Sequence, residues 1–294
     1  MDTRIVNNFR SSILKLFAAA ALLSAAGCAS YRLEPSAKLG DYRVEANERQ
    51  LEFANAAGSL LFKPDSAAAK VDGRVNLTLP YPVRRGDGKY LLEKRLLDHV
   101  VAPWLLRPPR PARTVMIDPG HGGSEPGAPG SITPEKHLNL AVAQLLREEL
   151  EKRNFKVLTT RSADTTVPLR RRVGIADASG AQIFVSIHHD SAVNRKARGY
   201  SVYAPRSCSK FPGDSTALAL AIQSEIVKLP QVVDRGVRFA DFRVLYSAMP
   251  AVLVELGFIS NADEEKLAND PRRQRAEAAA IADGIVNFCR GSRR

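Results

Sequence analysis

Four short stretches of the chain hold residue types that can do chemistry together. Asp118-Pro119-Gly120-His121-Gly122-Gly123 places an imidazole in a glycine-rich turn directly after the apolar run Val115-Met116-Ile117. The glycines let the backbone turn sharply and come close to a ligand. Pro134-Glu135-Lys136-His137 opens a helix, and Ser186-Ile187-His188-His189-Asp190 closes a second apolar run. The fourth stretch ends the run Ala251-Val252-Leu253-Val254 with a carboxylate, Glu255. Ordinary explanations exist for the first three: a hydrogen-bonded loop histidine, or an acid that complements a helix dipole. Glu255 is harder to explain, because burying an unpaired carboxylate costs several kcal/mol and calls for a cation, a metal or a raised pKa. Two histidines and one carboxylate form a ligand set that leaves zinc an open fourth position for water. A separate, partly desolvated glutamate can take that water's proton and return it to a leaving nitrogen. Only one of His188 and His189 can face the cleft from a strand, and alternation alone does not choose between them.

These groups need a scaffold that brings them to one edge, and the pattern after Thr114 supplies it. Strand-like runs at 115–117, 157–158, 183–187, 200–203 and 251–254 alternate with helical spacing at 138–150, 169–178, 217–229 and 272–288. Such alternation predicts an α/β fold, a mainly parallel twisted sheet flanked by helices. In sheets of this kind the site lies beyond the carboxyl ends of the strands, where all four stretches fall. Upstream, 41–108 reads as a small mixed α/β module. Leu60-Leu61-Phe62 is strand-like, Val71-Asp72-Gly73-Arg74-Val75 reads as a turn between strands, and 90–101 has helical spacing. This stretch resembles the stalk module at the N-terminus of some copper amine oxidases. No metal is carried over with that likeness, because His99 has no ligand partners in sequence. Prolines between 106 and 112 break the pattern, and 109–113 is assigned as the linker to a domain at 114–290.

The 294 residues carry a net charge of +12, in scattered basic groups without interleaved aromatics, which argues against a nucleic-acid platform. An anionic partner such as a cell-wall polymer or a lipid surface suits that charge. At the N-terminus, Arg4, Arg10 and Lys15 precede an apolar run at 16–23, too short to span a membrane, and then small residues. Ala25-Ala26-Gly27-Cys28 resembles a lipoprotein signal box, so 1–27 is expected to be removed and Cys28 to be lipidated. That would anchor the protein without a membrane span. Ala29, rather than Asp, favours the outer membrane of a periplasmic envelope. Residues 28–40 read as a tether. Cys28, Cys208 and Cys289 lack metal-ligand spacing, and the last two could pair in an oxidising compartment.

Taken together with Thr160-Arg161, Asp164, Leu169, Arg172, Arg235-Gly236-Val237 and Gly257-Phe258-Ile259-Ser260-Asn261, the four stretches resemble the zinc-dependent N-acetylmuramoyl-L-alanine amidases of the type-3 class. The resemblance covers 114–288. It implies one Zn2+ held by His121, Glu135 and His188, with Glu255 as general base and acid, and it makes His189 an outward neighbour. Arg172 and Asn261 become candidate substrate-binding residues. Asp190 stands where the family usually has Asn, and Glu125 where it usually has Asp. The implied substrate is peptidoglycan, cut between the lactyl group of N-acetylmuramic acid and L-alanine. The run 191–205 passes straight into a strand, without the helical insertion that blocks some relatives, so no protein activator is expected. Two other readings remain: a lipid-anchored wall-binding protein without turnover, and a zinc peptidase that cuts within the stem peptide.

Overall fold

Continuous apolar runs such as 183–187 and 251–254 can be satisfied only where both faces of a strand are covered, and this requirement places them at the centre of a sheet. The computed structural model describes residues 22–23, 30–33, 36–39, 42–87, 89–106, 109–207 and 209–291. The chain divides into two compact units, Met1–Arg107 and Pro108–Gly291. Cys28, Cys208 and most of 1–27 lie outside the described residues, so the readings placed on them have no structural counterpart here.

The second unit is built on the strands β1 (Thr114–Pro119), β2 (Lys156–Thr159), β3 (Ile183–Asp190), β4 (Tyr200–Ala204), β5 (Asp234–Phe239) and β6 (Ala251–Phe258). Their order across the sheet is β2-β1-β3-β6-β4-β5. The first four in that order are mutually parallel, β4 runs antiparallel to β6, and β5 runs parallel to β4. This is the expected α/β class with a mainly parallel sheet; the reversal of β4 and β5 and the existence of β5 itself were not foreseen. One face is covered by α1 (Glu135–Lys152), α3 (Pro212–Ile226) and α5 (Pro271–Arg290). On the other face α2 (Leu169–Ala178) packs with a short turn of helix at Arg243–Leu245 over Met116, Phe184 and Leu253. A further short helix, α4 (Ala262–Ala268), follows β6.

The segment read as a linker is fastened to the second unit. The Arg110 amide donates to the carbonyl of Cys289 at 2.9 Å, its guanidinium pairs with Asp214 and it lies 4.8 Å over the Phe288 ring. Cys289 is a buried free thiol whose pKa burial pushes up to about 11.

The first unit is mostly antiparallel. Strands Tyr42–Ala46, Leu51–Asn55, Gly58–Phe62, Ser66–Val71 and Val75–Gly86 pair in sequence order, each with its neighbour. The expected turn between the last two holds Asp72 and Gly73 at positive φ, 50° and 66°. Alternation buries Leu51, Phe53, Leu60, Phe62, Val75 and Leu77 on one face. The helical expectation for 90–101 needs correcting. Lys89–Glu93 is a strand, with Tyr90 and Leu92 buried at period two, and helix begins only at Lys94. The tether reading of 28–40 also needs amending, since Ser30–Leu33 pairs with Lys89–Glu93 and Ser36–Leu39 with Tyr42–Ala46. No helix among the described residues is long and apolar enough to cross a membrane.

Candidate metal centre

The parallel pairing of β1, β3 and β6 carries His121, His188 and Glu255 to the same edge of the sheet. His188 and Glu255 are direct register partners across β3 and β6, so their side chains leave the same face side by side. His121 follows β1, and Glu135 is the first residue of α1, arriving at that edge from the helical layer.

The three groups converge. Candidate ligand atoms of His121, Glu135 and His188 all lie within 4.8 Å of one another. Glu135 Oε1 is 2.9 Å from His188 Nδ1, and Oε2 is 3.2 Å from His121 Nε2. The imidazole rings meet edge to face at 5.0 Å. Burial alone would raise the pKa of Glu135, but hydrogen bonds and charge from the two histidines hold it well below the carboxylate range. Two nitrogen donors and one buried carboxylate are a donor set suited to zinc, with a position left over for water.

Close approach explains two of the glycines. A Cβ on Gly120 would sit 2.2 Å from His188 Cε1, and one on Gly127 would sit 2.4 Å from Glu135 Oε2. Neither position has room for a side chain. His121 itself has φ 60°, a conformation uncommon outside glycine that must be held by its surroundings.

Two buried guanidinium groups do that holding, a role that sequence reasoning gave to neither. Arg172 donates from Nη2 to His121 O at 2.7 Å, from Nη1 to Pro119 O and Asp118 Oδ1, and from Nε to Val167 O. Arg161 reaches Pro119 O and Gly120 O at 2.9 and 2.8 Å. Asp118, fully buried, accepts from Arg172, Thr160 and Ser186 and so ties β1 to its neighbours. The substrate-binding reading of Arg172 is therefore corrected: its donors are directed at backbone and Asp118, and it is 1% exposed. Asn261 is corrected too. Its side chain caps α4, accepting from Asp263 N and Glu264 N and donating to Arg195 O.

His189 is not an outward neighbour. It is buried at 2% exposure on the helical side, where its Nδ1 donates to Asn139 Oδ1 at 2.8 Å. Burial lowers its pKa to about 4, so the ring is neutral. Asn139 passes the constraint on, donating to Glu135 Oε1 at 3.1 Å and to Gly120 O at 3.2 Å.

Glu255 has a buried Oε2 with no hydrogen-bond partner. Burial drives its pKa well above the usual value, and the charges of Asp190 and Glu135 add to the rise. A raised pKa favours the protonated carboxyl, the form that can return a proton to a leaving group. Glu125, the other departure from the family pattern, is exposed and pairs through its backbone with Gly122.

Comparison with known proteins identifies the family. The profile of the N-acetylmuramoyl-L-alanine amidase family, Amidase_3, matches residues 115–287. The chain is 42% identical to the uncharacterized protein YqiI of Bacillus subtilis, over 61% of this chain and 86% of that one. The catalytic domain of CwlV, an N-acetylmuramoyl-L-alanine amidase from Bacillus (Paenibacillus) polymyxa, is 37% identical with a TM-score of 0.56, over 60% of this chain and 97% of that one. The CwlD amidase of Clostridioides difficile, solved in complex with the GerS lipoprotein, is 33% identical with a TM-score of 0.56, over 60% of this chain and 98% of that one.

Proposed function

The chain belongs to the N-acetylmuramoyl-L-alanine amidase family, and from that premise we propose that it hydrolyses the bond between the lactyl group of N-acetylmuramic acid and the L-alanine of the peptidoglycan stem peptide. His121, Glu135 and His188 are the residues that would hold one zinc ion. Bound there, zinc supplies Lewis-acid polarisation of the scissile carbonyl and a water acidic enough to ionise near neutral pH. The protein's own part is to set geometry and move a proton. Arg161 and Arg172 fix the loop that presents His121, and Asn139 orients Glu135. Glu255 accepts the proton of the attacking water and delivers it to the departing alanine nitrogen.

The observation that carries this reading is the register pairing of His188 with Glu255, which sets a carboxylate with a buried, unpartnered Oε2 beside the three converging groups. Glu255→Gln keeps size and polarity and removes the proton carrier. The variant is expected to bind zinc at wild-type stoichiometry while turnover on purified sacculi falls by about a thousandfold or more. Mass spectrometry of the released material, with and without chelator, should show free peptides beginning with L-alanine. Fragments cut within the stem peptide would instead mark a peptidase, and intact sacculi with a zinc-loaded protein would mark a binding protein.

In keeping with its family, the protein works in the cell envelope, and we assign it to the periplasmic side, held at the outer membrane through lipidated Cys28. Among the described residues, the connection from β3 to β4 holds no helix that would cover the centre. The isolated protein is therefore expected to act on sacculi without an added activator. A preparation inert until a second protein is supplied refutes this part.

A further inference from the structure

On the face that carries His188 and Glu255, the strand register extends a row of residues away from the metal centre. Glu255 pairs with Ser201 on β4, and Ser201 pairs with Gly236 on β5. A serine followed by a glycine gives this row a low floor. The adjacent row, two residues along each strand, is Leu253, Tyr203 and Arg238, all large. Tyr203 is braced by Phe242, edge to face at 5.1 Å. Ser201 is 1% exposed and Gly236 is buried, so the small row lies low beside a wall of Leu253, Tyr203 and Arg238.

Arg238 is the half-buried cation of that wall, and among the described residues its guanidinium has neither ion pair nor hydrogen bond. Its neighbour Arg235 is already engaged, donating to Arg198 O and lying 4.8 Å over the Phe258 ring. Register puts Arg238 beside Tyr203 and Leu253, on the face of the sheet that also carries Glu255. A guanidinium that has given up part of its hydration without a partner gains most from a carboxylate, which it can grip with two parallel N–H donors.

Resting on the amidase reading, we propose that Arg238 binds a carboxylate of the residue that follows the scissile L-alanine, with Tyr203 as the wall of that subsite. The span fits. Arg238 lies two strands across and two residues along from Glu255, about 12 Å between Cα atoms at ~4.8 Å per strand and ~3.3 Å per residue. Two residues of extended peptide cover about 7 Å, and the arginine side chain closes the rest. The glycan side of the bond carries no charge once the lactyl group is in amide linkage, so an unpaired cation here selects the peptide side.

The test pairs a change in the enzyme with the matching change in substrate. Zinc-loaded wild type and Arg238→Gln are assayed on an N-acetylmuramoyl dipeptide with L-alanine followed by glutamic acid, and on the same compound with its carboxylates amidated. The variant should lose about tenfold to a hundredfold in kcat/KM on the acid, mainly through KM, with zinc content unchanged. On the amide its loss should be at least fivefold smaller, and Arg238→Lys should recover part of the activity on the acid. Equal losses on both substrates, or no loss on the acid, overturn the assignment. A wild type that cleaves neither compound nor sacculi overturns the amidase reading itself, and the subsite with it.

Discussion

Replacing Arg172 by lysine separates a residue that holds the metal loop from one that binds substrate. Arginine at this position is 1% exposed and bridges four acceptors, Val167 O, Asp118 Oδ1, Pro119 O and His121 O, at 2.7–2.8 Å. Lysine keeps a positive charge for Asp118, whose carboxylate is fully buried, but its single ammonium cannot reach all three carbonyls. At least two charge-assisted bonds are lost, each worth about 1.5 kcal/mol or more, so the second unit should lose about 3 kcal/mol. For a domain of this size that corresponds to a fall in Tm of roughly 6–12 °C. The carbonyl of His121 is among those released, and groups that orient a ligand are commonly worth about tenfold to a hundredfold in metal affinity. Thermal unfolding of the metal-free and zinc-loaded protein, with chelator competition for the zinc constant, measures both quantities. If Tm and zinc affinity are unchanged while KM rises, Arg172 faces substrate and the clamp is wrong. If stability falls but zinc affinity does not, the hydrogen bond to His121 O does not set the ligand.

Other perturbations test neighbouring links. Gly120→Ala places a methyl group 2.2 Å from His188 Cε1, so the ring must move; zinc affinity should drop at least tenfold, and a zinc titration that overlays wild type would show that the ring has room. Asp164 accepts from Lys136 Nζ and Gly123 N, and these partners, the lysine first, hold its pKa below the ordinary aspartate value. A depressed carboxylate stabilises the fold above its unfolded pKa, about 3.9, and that contribution disappears as pH falls through the lower folded value. The Tm difference between wild type and Asp164→Asn should therefore be constant from neutrality to about pH 5 and shrink below about 3.9; a difference that stays flat into strong acid contradicts the latch.

The chemistry was more legible than its supports. Glu255 stands out because burying an unpaired carboxylate is costly, while His121, Glu135 and His188 are picked out by their fit as one ligand set and by the family resemblance. Strands β3 and β6 are equally plain, since a run of buried β-branched and apolar residues has few other uses. What stayed hidden depends on contacts between distant parts of the chain. Arg172 meets His121 from 51 residues away, and nothing local marks its donors as taken by backbone. Asn261 looks like a free amide in sequence and becomes a helix cap only because α4 starts there. His189 alternates away from the cleft as expected, yet what lies on that side is α1 with Asn139, not water. β5 escaped notice because Asp234-Arg235-Gly236 carries little strand character; its place is fixed by pairing with β4.

The hydrogen bond from Arg110 to Cys289 has a consequence for how such a unit can be used. It closes the entering and departing segments against each other, next to the start of β1, whereas His121 stands past the finish of the same six-residue strand. At about 3.3 Å per residue that strand separates the two by roughly 20 Å. Both ends of this unit thus emerge on the side away from His121, which leaves that face free of its own chain termini.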